Sequence, residues 1–274
     1  MLPNDLNELR DQAHRFLLEA DRPVETQEIA RHLFGPHRHE RPETQVVVRS
    51  LLQADPRFLR THCRRWSARC APHLQMDGQA SVFAVVDLET TGSVIGVDEI
   101  MEIGMVRLAG GRIRQRFSTR LRTSRAIPPW VSRLTGLNSS DLAAAPSFED
   151  MAPRMLDILD GAVFVAHDIR FDLPFLRWEL QRREHEFPCR VGICTLQLAR
   201  ALWPSLPSYS LAELAASRGL THVQPHCADD DAAAAAGLLL QCLGAAREIG
   251  RTTLGDLMDC HGAAAADAQR AAES

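Results

Sequence analysis

The stretch Phe83–Gly92 reads FAVVDLETTG, an apolar run that ends in two carboxylates one residue apart. A strand entering a core does not normally finish with charges on one face. Side chains alternate across a strand, so Asp87 and Glu89, at i and i+2, project to the same side. Two carboxylates held that close repel each other unless positive charge sits between them. A hard divalent cation such as Mg²⁺ resolves the conflict, because it prefers oxygen ligands and takes few protein carboxylates together with water and phosphate. A DxE at a strand end is common, so this stretch alone is a weak signal of a metal site.

Two further stretches carry acids in comparable settings. VAHDIRFDLPFL places Asp172 just past a second apolar strand, at the start of a helix. HCADDDAAAAAGLLL places His226 five residues before Asp231, with a long Ala-rich helix following. The small Ala face lets that helix lie close to a sheet, and Asp231 can then project inward. Taken singly, Asp172 fits an acid favoured by a helix N-terminus, and His226 fits a surface-loop histidine.

Together, the order and spacing of these motifs are far more specific. Segment 83–240 resembles the DEDDh 3′–5′ exonucleases, the family of the proofreading (epsilon) subunit of bacterial DNA polymerase III. The likeness runs through FAVVDLETTG, EIMEIGMVRL, IPPWVSRLTGLNSSDL, PSFEDMAPRMLDIL, FVAHDIRFDLPFL, CTLQLAR, YSLAELA and HCADDDAAAA. It implies an α/β, RNase H-like fold with a mixed central sheet flanked by helices. It also implies that Asp87, Glu89, Asp172 and Asp231 bind two Mg²⁺ or Mn²⁺ ions and that His226 is the general base. The H-x4-D spacing of the family selects Asp231 over its neighbours Asp229 and Asp230. Two ions roughly 4 Å apart activate water, neutralise the phosphate and stabilise the leaving oxygen. Histidine, with an unperturbed pKa of about 6.5, takes a proton near neutral pH.

Substrate contact is expected from Thr90, Leu134, Thr135, Gly136, Asp168 and Phe171. WVSRLTG matches the family segment that packs on the terminal base, where Leu134 supplies an apolar wedge. Two positions depart from the family. Asp168 stands where AHNxxFD has Asn, which adds negative charge near the phosphate path. Cys194 stands where DTLxLAR has Asp, a supporting position rather than a ligand. Glu102, on the second strand, reads as a charge paired across the sheet.

The N-terminal part has a different pattern. Residues 3–20 suit an amphipathic helix, a second helix runs over about 25–33 and a third over about 43–54. Phe58 and Trp66 then suit two short strands flanking an Arg-rich turn. Three helices and a hairpin is the order of a winged helix, and the stretch is similar to winged-helix modules with a DPRF…W signature at the wing. A small helical accessory domain is the alternative. The expected organisation is a winged-helix-like domain over 1–71, a polar linker over 72–81, the exonuclease domain over 82–247 and a tail over 248–274. In the exonuclease domain, a Gly110-Gly111 hairpin joins two strands, and helices are expected over 147–159, 172–185, 194–202, 210–218 and 229–247.

Charge and composition narrow the partners. All 31 basic residues are arginine, and the net charge of −4 conceals a segment, 41–70, with seven Arg against two acids. Such a local patch points to nucleic acid better than whole-chain charge does. Arg57, Arg60, Arg64, Arg65 and Arg69 are therefore the expected DNA anchors. The family resemblance implies attack at 3′ ends with release of nucleoside monophosphates, and the winged-helix likeness makes DNA with single-stranded ends the expected substrate, in replication or repair. A 3′ RNA exonuclease and a non-catalytic DNA-binding regulator are the alternatives, since a short motif does not encode contact with the 2′-hydroxyl. No convincing QxxLF-type clamp-binding peptide is present, which leaves a polymerase or clamp partner unproven. No apolar stretch approaches the roughly 18 residues of a membrane span, and the N-terminus lacks a signal-peptide layout. With seven scattered cysteines and no CxxC, the expectation is a reduced, cytoplasmic protein. Cys63, Cys70 and His73 lack a fourth ligand at zinc spacing.

Overall fold

The computed structural model describes residues 3–36, 41–61 and 64–258. Its centre is a five-stranded mixed sheet, order β5-β4-β3-β6-β7. The strands are β3 (Val82–Thr90), β4 (Ile100–Ala109), β5 (Arg112–Arg120), β6 (Val163–Ala166) and β7 (Gly192–Cys194). β3 pairs antiparallel with β4 and parallel with β6, β4 pairs antiparallel with β5, and β7 runs parallel to β6. The hairpin turns at Gly110-Gly111, both at positive φ, which glycine adopts without the Cβ penalty.

The alternation of β3 sorts the two cores. Phe83 and Val85 pack with α8 (Thr195–Leu202), α9 (Leu211–Ser217) and α10 (Ala228–Glu248). Ala84, Val86 and Leu88 pack with α6 (Phe148–Leu159) and α7 (Ile169–Gln181). Asp87 and Glu89 continue the odd-numbered side, so the period of 2 carries them toward α10. α10 presents fully buried Ala232, Ala235 and Ala236 to the sheet, and these small side chains permit close approach. α6 begins with a capping box: Ser147 Oγ accepts from the Asp150 N–H and the Asp150 carboxylate accepts from the Ser147 N–H. Two short helices the sequence pattern does not announce, α4 (Pro129–Thr135) and α5 (Ser139–Ala143), cover Met101 through Val131, Leu137 and Leu142.

The N-terminal unit has α1 (Pro3–Ala20), α2 (Thr26–Phe34) and α3 (Pro42–Gln53), then an antiparallel pair, β1 (Phe58–Arg60) and β2 (Trp66–Ala68). The order is the expected one. Its core gathers Leu17, Val24, Ile29, Val48, Leu52, Phe58 and Trp66. Val24 bridges to Trp66, whose indole N–H donates to Thr26 Oγ1 at 3.1 Å.

The flanks differ from expectation. The polar stretch 72–81 is packed rather than free: Pro72–Leu74 forms a 3₁₀ turn, and Leu74 is fully buried in the core beneath α10 together with Leu59 of β1. Residues 248–258 are likewise not a loose tail. Leu254, Leu257 and Met258 fill the same core, Asp77 bridges to Thr253, and the Gly78 N–H donates to the Thr252 carbonyl at 2.7 Å. Apolar side chains hidden in the polar wording of both flanks explain the difference. The Ala-rich end of the expected tail, and Cys63, lie outside the described residues. No helix among the described residues is long and apolar enough to cross a membrane.

Three of the five expected anchors are engaged within the protein. Arg57 pairs with Asp55 and Asp11, both at 2.7 Å. Arg65 pairs with Glu25 at 3.0 Å, and Arg69 donates to the Pro56 carbonyl at 2.6 Å. Arginines close in sequence to a turn thus serve to tie it down. Arg60, which lies over the Trp66 ring, instead feels Arg64 of the β1–β2 turn and Arg49 of α3; burial and these two charges lower its pKa.

Candidate active site

Asp87 and Glu89 leave β3 on one side, Asp172 comes from the first turn of α7, and Asp231 from the first turn of α10. Glu89, His226 and Asp231 bring one ligand atom each within 4.8 Å of one another. Asp87 is half-buried, and desolvation, followed by the charges of Asp172, Asp231, Glu89 and Glu102, raises its pKa well above the ordinary carboxylate range. Burial, then Asp231, Glu102 and Asp172, push Glu89 up to about 8. Asp172 is pushed up as well, chiefly by burial, although its carboxylate accepts the Leu88 backbone N–H. The charges acting on these groups are other carboxylates. Such a set of hard oxygen donors, unfavourable when ionised alone, fits divalent cations.

This electrostatic conflict sets a pH dependence. The folded-state values lie above the unfolded value of about 4, so folding takes up protons. Their stabilising contribution is complete below about pH 4 and is lost as pH rises through about 8 for Glu89. In EDTA, the protein is expected to lose thermal stability through these groups between pH 5 and 8, and added Mn²⁺ to restore it. His167, whose pKa is lowered by burial, works the other way in this range. The comparison with Asp87→Asn isolates the carboxylates: the variant should melt higher than the wild type in EDTA at pH 8, and by less at pH 5. An unchanged difference would show that the repulsion is relieved elsewhere.

Local structure explains how each group is delivered. Gly104 of β4 lies opposite Asp87. A Cβ there would run into the Ala228 backbone and come within 2.7 Å of the Asp229 nitrogen. Only glycine lets the start of α10 rest on the strand and carry Asp231 to the site. Glu102, the neighbour of Glu89 across the sheet, accepts the Ala228 N–H at 3.0 Å and so caps α10, while Arg120 stands 3.7 Å from its other oxygen. The expected cross-sheet pairing is present, and the cap adds to it. His226 sits at φ 64°, and its backbone N–H donates to Asp231 Oδ2 at 3.1 Å. The buried His222 side chain contacts Asp231 Oδ1. Asp229 and Asp230 turn outward: Arg116 holds Asp229 at 2.7 Å and lies 3.4 Å from Asp230.

The other sequence-selected positions surround this centre in the chain. Asp168 has left-handed backbone, φ 70° and ψ 65°, a conformation in which Asn and Asp are the most tolerated side chains. Its carboxylate is forked by Arg170, at 2.7 and 2.9 Å, and the guanidinium holds its pKa below the usual range. The extra charge is met two residues away rather than turned unpaired on a phosphate. Phe171 packs beside Phe175 with ring centres 5.0 Å apart. Thr90 Oγ1 donates to the Gly92 carbonyl. Thr135 is buried and hydrogen-bonds within α4, and Gly136, at φ 74°, ends that helix. Leu134 is 48% exposed and Trp130, one turn earlier, 55%. Cys194 is buried at the start of α8, and burial pushes its thiol up.

His222 and Gly104 are the residues that sequence reasoning passes over. A glycine inside a strand does signal close backbone approach, so Gly104 was readable. His222 carries no such signal, because the turn at His226 folds it back onto Asp231.

The sequence pattern of the RNase_T exonuclease family matches residues 84–239. The chain belongs to this family. Among curated relatives, the 3′-5′ exonuclease DinG of Bacillus subtilis (strain 168) is 37% identical over 176 residues, 64% of this chain and 19% of that protein. DinG of Staphylococcus aureus (strain USA300) is 34% identical over 160 residues, 58% of this chain and 18% of its own length. The chain thus spans about a fifth of the relatives it matches. Among solved structures, Exonuclease X in complex with 5′ overhanging duplex DNA is 28% identical, with a TM-score of 0.51 over 65% of this chain and 99% of the other. Escherichia coli Exonuclease I with a dT13 oligonucleotide shares the fold at 17% identity, with a TM-score of 0.56 over 62% of this chain and 42% of the other.

Proposed function

We propose that this RNase_T exonuclease is a divalent-metal-dependent 3′–5′ exonuclease that acts on DNA with a single-stranded 3′ end. The observation that carries the reading is the convergence of Asp87, Glu89, Asp172 and Asp231, with His226 beside them. Mg²⁺ or Mn²⁺ held by the four acids would neutralise the phosphate, activate the water and stabilise the leaving oxygen. The chain's own part is placement. β3 and α10 hold the acids on one side of the sheet, and the exposed imidazole of His226 accepts the proton from the water. Trp130 and Leu134 lie on one face of α4 and offer apolar surface to the terminal base. Exonuclease X, solved with duplex DNA carrying a 5′ overhang, supports DNA as the substrate.

Digestion of end-labelled DNA and RNA oligonucleotides of matched sequence, with Mg²⁺ or Mn²⁺, tests this. Release of monophosphates from the 3′ end of DNA is expected. A preference for RNA would overturn the substrate, and the absence of cleavage would favour a non-catalytic binding role.

The N-terminal unit is read as a winged-helix-like domain that holds duplex DNA. Its helix order and the Val24–Trp66 bridge support that reading, and Arg49, Arg60 and Arg64 are its phosphate contacts. Truncation at residue 75 would remove Leu59 and Leu74 from the core beneath α10, so substitution is the cleaner test. The triple change Arg49→Ala, Arg60→Ala, Arg64→Ala should weaken binding to DNA with a duplex portion and reduce the salt slope by about 3. Turnover of a short single strand at saturation should stay the same. Gel shifts across a salt series check this, and equal slopes would assign the unit another role.

A further inference from the structure

We infer that His222 is a positioning residue for the nuclease centre, one that locks the Asp231 carboxylate and the loop bearing His226 into a metal-ready arrangement. The inference rests on the reading of the four acids as metal ligands.

The segment between α9 and α10 has no regular structure over residues 220–227. A turn closed by the Cys227 N–H on the Gln224 carbonyl at 3.2 Å, with the Gln224 N–H on Asp230 Oδ2 at 2.8 Å, shapes the exposed side of this loop. Two further contacts tie it to the candidate site, and both end on Asp231. His226 donates its backbone N–H to Oδ2 at 3.1 Å, and His222 brings Nε2 to Oδ1. The His222 side chain is only 6% exposed and Asp231 only 12%, so water competes little for this bond.

The chemistry fixes the direction of the bond. An ionised carboxylate only accepts, so Nε2 must carry the hydrogen and donate it. A carboxylate has about four lone-pair sites on two oxygens. After accepting from His222 and from the His226 N–H, Asp231 still has lone pairs for a cation, with its plane set by two donors. Groups that hydrogen-bond to metal-binding carboxylates in this way orient them, and their loss typically costs 10–100-fold in metal affinity or activity.

The same bond closes a loop whose geometry needs closing. His226 occupies the left-handed region at φ 64°, which side chains other than glycine enter rarely. Such a conformation persists where the surroundings determine it. With His222 gone, the loop loses its more buried tether, and both the fourth acid and the imidazole gain freedom. His222 touches neither water nor phosphate in this scheme, so its effect falls on metal binding and turnover, not on substrate affinity.

The test uses the full chain and Mn²⁺ alone, with free Mn²⁺ followed by electron paramagnetic resonance. Three proteins are compared: wild type, His222→Ala and His222→Gln, with melting curves to establish that all are folded. His222→Ala should bind Mn²⁺ 10–100-fold more weakly. At saturating Mn²⁺ it should show a reduced kcat with a near-normal KM for the oligonucleotide. His222→Gln, which keeps a donor, should recover part of both. Wild-type Mn²⁺ affinity in His222→Ala overturns the proposal, as does a glutamine variant no better than alanine when both are folded. If wild-type protein itself takes up no Mn²⁺, the reading of the acids as ligands falls and this proposal falls with it; normal uptake by wild type separates the two failures.

Discussion

Cleavage is expected to stop in excess EDTA and to return on addition of Mg²⁺ or Mn²⁺. Asp87→Ala or Asp231→Ala should lower turnover on the order of 10³-fold or more, because each loss misplaces the charge stabilisation and the water together. The two positions test different parts of the fold. Asp87 leaves a sheet strand and feels the charges of the other acids, whereas Asp231 depends on where α10 begins. Loss at both positions with intact melting curves would place the chemistry at their meeting point. Full activity in EDTA would overturn the metal dependence, and near-normal turnover in either variant would refute that residue's assignment as a ligand.

Gly104→Ala is expected to be nearly as damaging, although residue 104 has no side chain to contribute. Its new methyl group would fall on the Ala228 backbone and within 2.7 Å of the Asp229 nitrogen. A flexible side chain could swing away, but a helix backbone must move as a body. That shift opposes the packing of Ala232, Ala235 and Ala236 on the sheet and pulls Ala228 from its Glu102 cap. Overpacking of this kind typically costs 1–3 kcal/mol. Activity should fall on the order of 10²-fold, since displacement by about 1 Å is enough to disturb reacting geometry to that extent. Parallel melting and kinetic measurements check the prediction. An alanine variant with wild-type turnover would mean that α10 does not set the position of Asp231.

Much of this centre was legible because its signals are local. Asp87 and Glu89 share a face through a period of 2, Ser147 and Asp150 make a capping box at fixed spacing, and Gly110-Gly111 marks a hairpin. The unread parts depend on contacts far apart in sequence. Asp168 departs from the family pattern in a way that suggests a weakened phosphate path, yet its charge is absorbed by Arg170, and a side-chain direction was needed to see it. The Arg-rich turn offered five anchors on composition. Three of them bind acids or carbonyls of the same unit, because a charge count does not distinguish an arginine turned outward from one turned home. The flanks misled for the opposite reason. Single apolar residues, Leu74 on one side and Leu254 and Leu257 on the other, lie in polar stretches too short to show any period. They find partners only when both ends of the nuclease unit meet.

That meeting has a consequence for how the chain is made. Asp77 and Thr253 bridge across the whole nuclease unit, and Leu74 shares a core with Leu254, Leu257 and Met258. A contact between such distant residues closes a long loop and forms late. As the chain leaves the ribosome, the N-terminal unit already holds its own core of helices and hairpin and can fold while the rest is being made. The nuclease sheet, by contrast, waits for residues near its far boundary before the layer beneath α10 is sealed. During that interval Leu59 and Leu74 stay uncovered, so the joint between the two units sets after the N-terminal unit and is open to mispairing while synthesis continues.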